Sequence, residues 1–237
     1  MPGLLYADSI PITKNINIRI PTVGEILANE EEFDEIVSCV VATPYELMVP
    51  LADAGIEFDK VSHFDVFCML FPKLQEKSVS TLFGDTDFSE YRYAINTGTN
   101  EGMWVNEKND SRIDRVIHSQ MCSVIRKILH LTVNDKKPGN DEARRYMLER
   151  ARRKSKRRRK EKSSQLESYI VAMVNSKDFK YDYSSVRDIS IFQFYSSLQQ
   201  ITHRIQFDNT MIGCYTGSIK FDDVSEQNKT WILSTNN

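Results

Sequence analysis

The strongest periodic signal in the chain lies between residues 112 and 131, where apolar residues recur at three- and four-residue spacing. A repeat of this period places apolar side chains on one face of an α-helix. Ser111 and Asp114 supply start signals for it. We therefore predict an amphipathic helix that buries a stripe made of Ile113, Val116, Ile117, Met121, Val124, Ile125, Ile128 and Leu129.

Further helices are predicted over much of the remaining chain. Thr43 and Ser62 are each followed three residues later by an acidic residue, the spacing of a capping box. We expect Pro44 at the first helical position of one helix and Pro72 to limit another. Apolar spacing and start or stop signals predict helices over residues 22–27, 31–42, 43–55, 62–72, 166–174 and 190–213.

Two stretches have the spacing of β-strands instead. Isoleucines alternate with polar residues over 15–20, which predicts a strand with one buried face. Residues 91–95 and 103–106 flank a connection rich in Gly and Asn, which predicts a β-hairpin. The predicted fold is mainly α with a small β element (α+β), a multi-helix assembly with an N-terminal strand, one hairpin and a long basic helix.

The charge is strongly uneven along the chain. Residues 144–162 hold 12 of the 31 Lys and Arg residues and two acids, a local net charge of +10, whereas the whole chain carries −2. Asn140, followed by Asp141 and Glu142, suits the start of a helix. The basic residues are Arg144, Arg145, Arg150, Arg152, Arg153, Lys154, Lys156, Arg157, Arg158, Arg159, Lys160 and Lys162.

This basic segment allows three interpretations. It can bind nucleic acid through phosphates, or dock on acidic protein surface belonging to a partner or to the rest of this chain. It can also be a solvated helix face, which we rank last because of its charge density. The nucleic-acid interpretation lacks interleaved aromatics or a helix-turn-helix context, so it does not displace the protein-partner interpretation. We divide the chain into an N-terminal region (1–135), a basic connector (136–163) and a C-terminal helical region (164–237).

The sequence contains no set of residues with the spacing of a known catalytic or metal site. The four histidines are scattered, there is no Cys-x-x-Cys motif, and we interpret 85–87 as a turn with Asx caps. The aromatic cluster of Phe179, Tyr181 and Tyr183 can stack bases, but we assign it to the core. We expect no cofactor, no metal and no enzymatic activity.

The cysteines and the N-terminus bear on the compartment. Cys39, Cys68, Cys122 and Cys214 are widely separated in apolar contexts, which predicts buried free thiols in a reducing compartment. The apolar runs are too short to span a membrane, and the first residues lack the charged and apolar regions of a signal peptide. We therefore expect a protein of the cytosol that does not bind membranes.

Several motifs together give a family resemblance. They include Ile-Asn-Ile-Arg-Ile-Pro-Thr-Val-Gly-Glu-Ile at 16–26, Ala-Thr-Pro-Tyr-Glu at 42–46 and Phe-Gly-Asp-Thr-Asp-Phe at 83–88. With them the chain resembles structural-module proteins of tailed phages and prophages from Gram-positive hosts. The resemblance implies a non-enzymatic role in tail assembly, as a chaperone-like protein for the tape-measure protein.

That resemblance also implies partners and a location. The expected partners are phage tail or other virion proteins, with a homo-oligomer possible, in the host cytoplasm or associated with the virion. It identifies no functional residue. The alternative is a nucleic-acid-binding or DNA-contacting minor virion protein that uses segment 144–162.

Overall fold

The computed structural model describes residues 3–133, 135, 137–158 and 164–233, without the side chains of 156–158. Contacts between Cα atoms divide the chain into two units. The first consists of Met1–Pro21 and Glu25–Ser164, and the second of Thr22–Gly24 and Gln165–Asn237. The prediction of a mainly α protein with a small β element is confirmed.

The elements follow one another in this order. The strands are β1 (Ser9–Pro11), β2 (Asn17–Arg19), β3 (Arg92–Ile95), β4 (Gly102–Asn106) and β5 (Ser111–Ile113). The helices are α1 (Val23–Ala28), α2 (Glu30–Val41), α3 (Met48–Asp53), α4 (His63–Gln75), α5 (Ser80–Phe83), α6 (Arg115–Ile128), α7 (Asp141–Arg158), α8 (Gln165–Val174) and α9 (Ile191–Tyr215). Short 3-10 turns cover Ser185–Arg187, Phe221–Asp223 and Glu226–Lys229.

The predicted N-terminal strand exists and pairs with a second strand. Ile16, Ile18 and Ile20 are buried, as their alternation predicts. The partner is β1, which pairs with β2 in antiparallel register. Strand β1 could not be predicted, because three residues that contain a proline carry almost no strand signal.

The predicted hairpin also exists, and it belongs to a larger sheet. Strands β3 and β4 pair antiparallel, and β5 adds to the other side of β4, so the strand order is β3-β4-β5. The apolar spacing placed Ile113 in the following helix, with Ser111 as a start signal. That assignment is wrong, because α6 begins at Arg115 after its N-cap, Asp114.

The core of the first unit lies among α2, α4 and α6 and the inner face of the three-stranded sheet. Phe71 is completely buried there. Its ring centroid lies 5.2 Å from that of Phe67 and 4.4 Å from that of Trp104. These rings belong to a cluster of buried aromatic side chains, which comprises Phe67, Phe71, Phe83, Phe88, Tyr91 and Trp104.

Helix α4 differs from the prediction at its C-terminal end. Pro72 does not end the helix, which continues to Gln75. Phe71 and Leu74 are both fully buried on either side of the proline. Their burial stabilises the last turn by more than the proline destabilises it. The start is as predicted, since Ser62 forms a capping box with Asp65.

The region after α2 is less helical than predicted. Thr43 and Glu46 make both hydrogen bonds of a capping box, at 2.8 and 3.2 Å. The residues that follow form a turn, and α3 begins only at Met48. The capping motif therefore closes a turn here rather than opening a continuous helix.

The second unit is built on α8 and α9. Helix α8 buries Leu166, Ile170 and Met173, and both helices lie where they were predicted. Helix α9 begins with a capping box between Ser190 and Gln193, which the sequence analysis did not predict. Gly213 does not stop α9, which continues to Tyr215. The stop is Gly217, whose φ of 76° is a left-handed conformation that suits glycine.

The segment after α9 folds back onto that helix. Gln200 donates a hydrogen bond to the carbonyl of Trp231 (2.7 Å), and the His203 ring nitrogen lies 2.9 Å from the carbonyl of Thr230.

Of the predicted aromatic cluster, Phe179 is buried. Tyr181 and Tyr183 are exposed, so their assignment to the core is wrong.

The cysteines are free, as predicted. Cys39 and Cys122 are buried, whereas Cys68 and Cys214 are only partly so. None of the helices in the described part of the chain combines the length and the apolar character that crossing a bilayer needs.

The N-cap of α6 provides a local test of the fold. The Asp114 carboxylate accepts hydrogen bonds from the backbone N–H groups of Val116 (3.0 Å) and Ile117 (2.9 Å). We expect Asp114→Ala to lower the free energy of unfolding by about 1 kcal/mol. Asp114→Asn keeps the acceptor and is the matched control. Equal losses in the two variants, measured by urea denaturation, would contradict this role of the cap.

Candidate functional site

The basic segment forms helix α7, and its first turn is capped as predicted. The side chain of Asn140 accepts a hydrogen bond from the backbone N–H of Ala143 (2.7 Å). Asp141 and Glu142 follow at the positive end of the helix dipole, where carboxylates are stabilising. The helix therefore has a defined start despite the repulsion among its cations.

One stripe of α7 is apolar and packs against the first unit. Met147, Leu148 and Ala151 are partly buried at three- and four-residue spacing, which places them on one face. They contact a buried cluster that comprises Ala42, Met48, Leu51, Phe58 and Val66. This contact with the region around α3 makes α7 a packed helix of the unit.

Ion pairs reinforce the same contact. Arg144 Nη1 lies 3.0 Å from Glu57 Oε1 and 3.4 Å from Asp59 Oδ1. Nearer the other end of the packed stripe, Arg152 Nη2 lies 2.5 Å from Asp53 Oδ1. These three acids lie on and after α3, so part of the basic segment pairs with acidic residues of its own chain.

The ion pairs between α7 and the acidic residues shift the pKa values of the groups that form them. The hydrogen bonds that Arg144 donates to Glu57 and to Asp59 raise its pKa above its ordinary value, and the one to Glu57 has the larger effect. The pKa of Glu57 is lowered, first by its hydrogen bond to Lys60 and then by the one to Arg144. The contact therefore involves charged partners at neutral pH.

The opposite side of α7 faces away from the cluster. Tyr146, Arg150 and Arg153 lie at positions i, i+4 and i+7, so their side chains share one face. We call these three residues the outer face of α7. Tyr146 is 66% exposed, and Arg153 is paired with Glu149 at 2.5 Å. Tyr146 is the aromatic residue that the sequence analysis overlooked inside the basic run.

Other predicted site residues have different surroundings. Arg145, Arg150 and Lys154 are exposed and form no ion pair with any residue in the described part of the chain. The side chains of Lys156, Arg157 and Arg158 are not described. Arg159, Lys160 and Lys162 lie outside the described residues.

A buried His–Cys pair has two large pKa shifts. His118 and Cys122 are one helical turn apart in α6, with 3.2 Å between Nε2 and Sγ. Burial lowers the pKa of His118 to about 4 and raises the pKa of Cys122 to about 11. Both side chains are therefore neutral at pH 7, and this pair contains no activated thiolate. Nε2 of His118 lies 2.9 Å from the Val40 carbonyl, which links α6 to α2.

Metal-ligand side chains are not grouped in the part of the chain that the structure describes. Among the residues that it describes, no three His, Cys, Asp or Glu side chains come close enough together to hold an ion. The surroundings of Asp87 agree with the predicted Asx turn. Its carboxylate accepts a hydrogen bond from the Ser89 backbone at 2.8 Å.

The C-terminal part of the chain has a recognisable relative. Residues 156–236 match the family model described as the YomV second domain. This part includes α8 and α9, and the match associates the chain with phage and prophage proteins. No curated protein and no solved structure matches the chain.

Proposed function

We propose that this chain is a non-enzymatic morphogenesis protein that acts in phage tail assembly through protein–protein contacts. The match of residues 156–236 to a phage-associated domain supports the phage context. The tail-assembly role is supported by the family resemblance of the sequence. The surface that we assign to partner contact is the outer face of α7.

The observation that carries this proposal is the rigid presentation of that face. Met147, Leu148 and Ala151 fix one side of α7 against the apolar cluster, which holds Tyr146 and Arg150 on the other side. Tyrosine and arginine are enriched among the residues that contribute most to protein interfaces. A helix that is already ordered loses less conformational entropy on binding than a free basic arm does.

A second candidate is nucleic-acid binding, and a specific observation favours it. The three exposed cations Arg145, Arg150 and Lys154 have no acidic partner in the described part of the chain. Such cations can neutralise phosphates without regard to sequence. Tyr146 can then stack on a base. The two candidates predict different effects of substitutions on α7 on recovery of the binding partner.

The test is purification of the tagged protein from phage-infected cells, with nuclease treatment and a series of salt concentrations. We expect a tape-measure or tail-tube protein to remain bound after nuclease. Recovery of nucleic acid alone, lost steeply as salt rises, would contradict the proposed function and support the second candidate.

Substitutions on α7 let the same experiment distinguish a specific protein interface from nucleic-acid binding. We expect Tyr146→Ala and Arg150→Gln each to reduce recovery of the partner by about tenfold, as hot-spot residues do. Lys154→Gln removes the same charge outside the outer face and should leave recovery within about twofold. Equal losses in Arg150→Gln and Lys154→Gln would indicate counterion release and contradict a specific protein interface.

A further inference from the structure

Helix α9 carries a heptad pattern along its whole length. Apolar residues recur at alternating intervals of three and four from Ile191 to Tyr215, which is the spacing of a coiled-coil seam. Asp208 is the only charged residue at these positions. We call the set the α9 seam, and it consists of Ile191, Phe194, Leu198, Ile201, Ile205, Asp208, Ile212 and Tyr215.

The two halves of the α9 seam differ in burial. Ile191 and Phe194 are buried in the second unit. Ile205 and Ile212 are 51% and 60% exposed, and Tyr215 is exposed as well. The second unit therefore buries the beginning of the seam and leaves its C-terminal half open.

The segment that follows α9 does not cover this open half. Its hydrogen bonds are made with Gln200 and His203. With 3.6 residues per turn, these two residues lie about 140° and about 160° around the helix from Ile205. The returning segment therefore packs on the side of α9 opposite the seam.

The whole helix is poor in charge. Among the 25 residues of α9, Arg204 and Asp208 are the only Lys, Arg, Asp or Glu residues. A solvated helix face normally carries charged side chains, whereas the core of a protein interface is depleted of them. The open half of the seam thus fits a partner helix that is itself heptad-patterned and nearly uncharged, and α9 of a second copy has both properties.

The spacing of the seam also suits a two-fold axis. From Leu198 to Tyr215 the intervals are three, four, three, four and three residues, which is the same sequence in either direction. An axis between positions 206 and 207 therefore gives every open seam residue a partner, and each contact occurs twice, as in an isologous interface. The pairs are Leu198 with the second copy's Tyr215, Ile201 with the second copy's Ile212, and Ile205 with the second copy's Asp208.

Asp208 selects this antiparallel orientation. In a parallel pair the two Asp208 carboxylates face each other across the seam and repel. In the antiparallel pair each Asp208 lies opposite Ile205 and beside Arg204 of the second copy. Within one copy Arg204 Nε lies 4.0 Å from Asp208 Oδ2, and both side chains are at least half exposed. Two copies therefore combine two such loose pairs into one neutral network, and a polar residue in a seam specifies how helices pair.

We propose that α9 forms an antiparallel coiled coil with α9 of a second copy of this chain, through residues 198–215. At 1.5 Å per residue the contact is about 26 Å long, so the interface is small and we expect a dimer that dissociates in the micromolar range. The α9 seam and the outer face of α7 share no residue, and this dimer does not rest on the proposed function.

The test is sedimentation equilibrium of the full-length protein over a series of concentrations. We expect a monomer–dimer equilibrium, and we expect Ile205→Asn and Ile212→Asn each to weaken it by at least about tenfold, because each removes apolar contact at two places in the dimer. Gln206→Asn introduces the same residue beside the seam and should stay within about twofold. Both isoleucines are exposed, so equal thermal unfolding of the variants confirms that the monomer is intact.

A gain of affinity provides a second readout. Asp208→Leu replaces the acid in the seam by an apolar residue, and we expect it to tighten the dimer by at least about tenfold. A residue that acts only within the monomer has no such effect.

The orientation is tested by disulfide cross-linking. Ile201→Cys and Ile212→Cys are made in separate proteins that also carry Cys214→Ser, and the two are mixed and oxidised. We expect the disulfide to join position 201 of one copy to position 212 of the other. Disulfides between identical positions would overturn the proposal. So would a wild type that stays monomeric up to about 200 µM, or a dimer that neither isoleucine substitution weakens.

Discussion

Phe71→Ala is expected to lower the free energy of unfolding of the first unit by about 3–5 kcal/mol. Phe71 is fully buried. Its ring contacts four other aromatic rings, with centroid distances of 5.2 Å to Phe67, 5.6 Å to Phe88, 6.0 Å to Tyr91 and 4.4 Å to Trp104. Alanine removes these contacts and leaves a cavity between α4 and the sheet.

The matched control is Phe71→Leu, which keeps most of the buried volume. We expect it to cost about 1–1.5 kcal/mol. Both variants are compared with the wild type by urea denaturation monitored by circular dichroism. A loss below about 1 kcal/mol for Phe71→Ala would show that the aromatic cluster is not the main core of this unit.

Acid is expected to destabilise the first unit through His118. The folded pKa of about 4 lies below the ordinary value of 6.5, so the folded state favours the neutral ring. The contribution to stability is complete above pH 6.5 and is lost as the pH falls towards 4. At about 1.4 kcal/mol for each pKa unit, the loss is about 3 kcal/mol.

The control for this effect is His118→Gln, which retains a donor for the Val40 carbonyl but does not titrate. We measure the free energy of unfolding from pH 7.5 to pH 4 in both proteins. The wild type should lose about 3 kcal/mol more than the variant over this range. Parallel curves would mean that the histidine is not buried in its neutral form.

Some features of the fold could be predicted from sequence because they depend on neighbouring residues. The Asp114 cap and most of the buried face of α6 follow from spacing alone. Val116 is an exception, since the spacing places it in the buried stripe and it is 64% exposed. Strand β5 could not be separated from that helix, since Ile113 fits both the end of a strand and the start of the apolar stripe. The prediction that Pro72 ends α4 is wrong for a related reason. The packing of Phe71 and Leu74 overrides the local effect of the proline.

The candidate site also has some features that the sequence predicts and others that only the fold shows. The charge of segment 144–162 and the Asn140 cap are visible in the sequence. The acidic partners are not, because Glu57 and Asp53 lie 87 and 99 positions from the arginines that they bind. Only the folded chain reveals which stripe of α7 is packed and that Tyr146 lies on its opposite side.

In this structure the basic segment is a packed helix of the first unit rather than a free cationic arm. Hydrogen exchange of the α7 amides at 147–151 tests it most directly, in the wild type, in Leu148→Glu and in Arg150→Glu. Both substitutions introduce the same acid, at a packed and an exposed position of the helix respectively.

We expect slow exchange in the wild type and in Arg150→Glu, and exchange at least about tenfold faster in Leu148→Glu. Amides at 147–151 that exchange at the rate of an unstructured peptide in the wild type, and that do not respond to Leu148→Glu, would contradict the account.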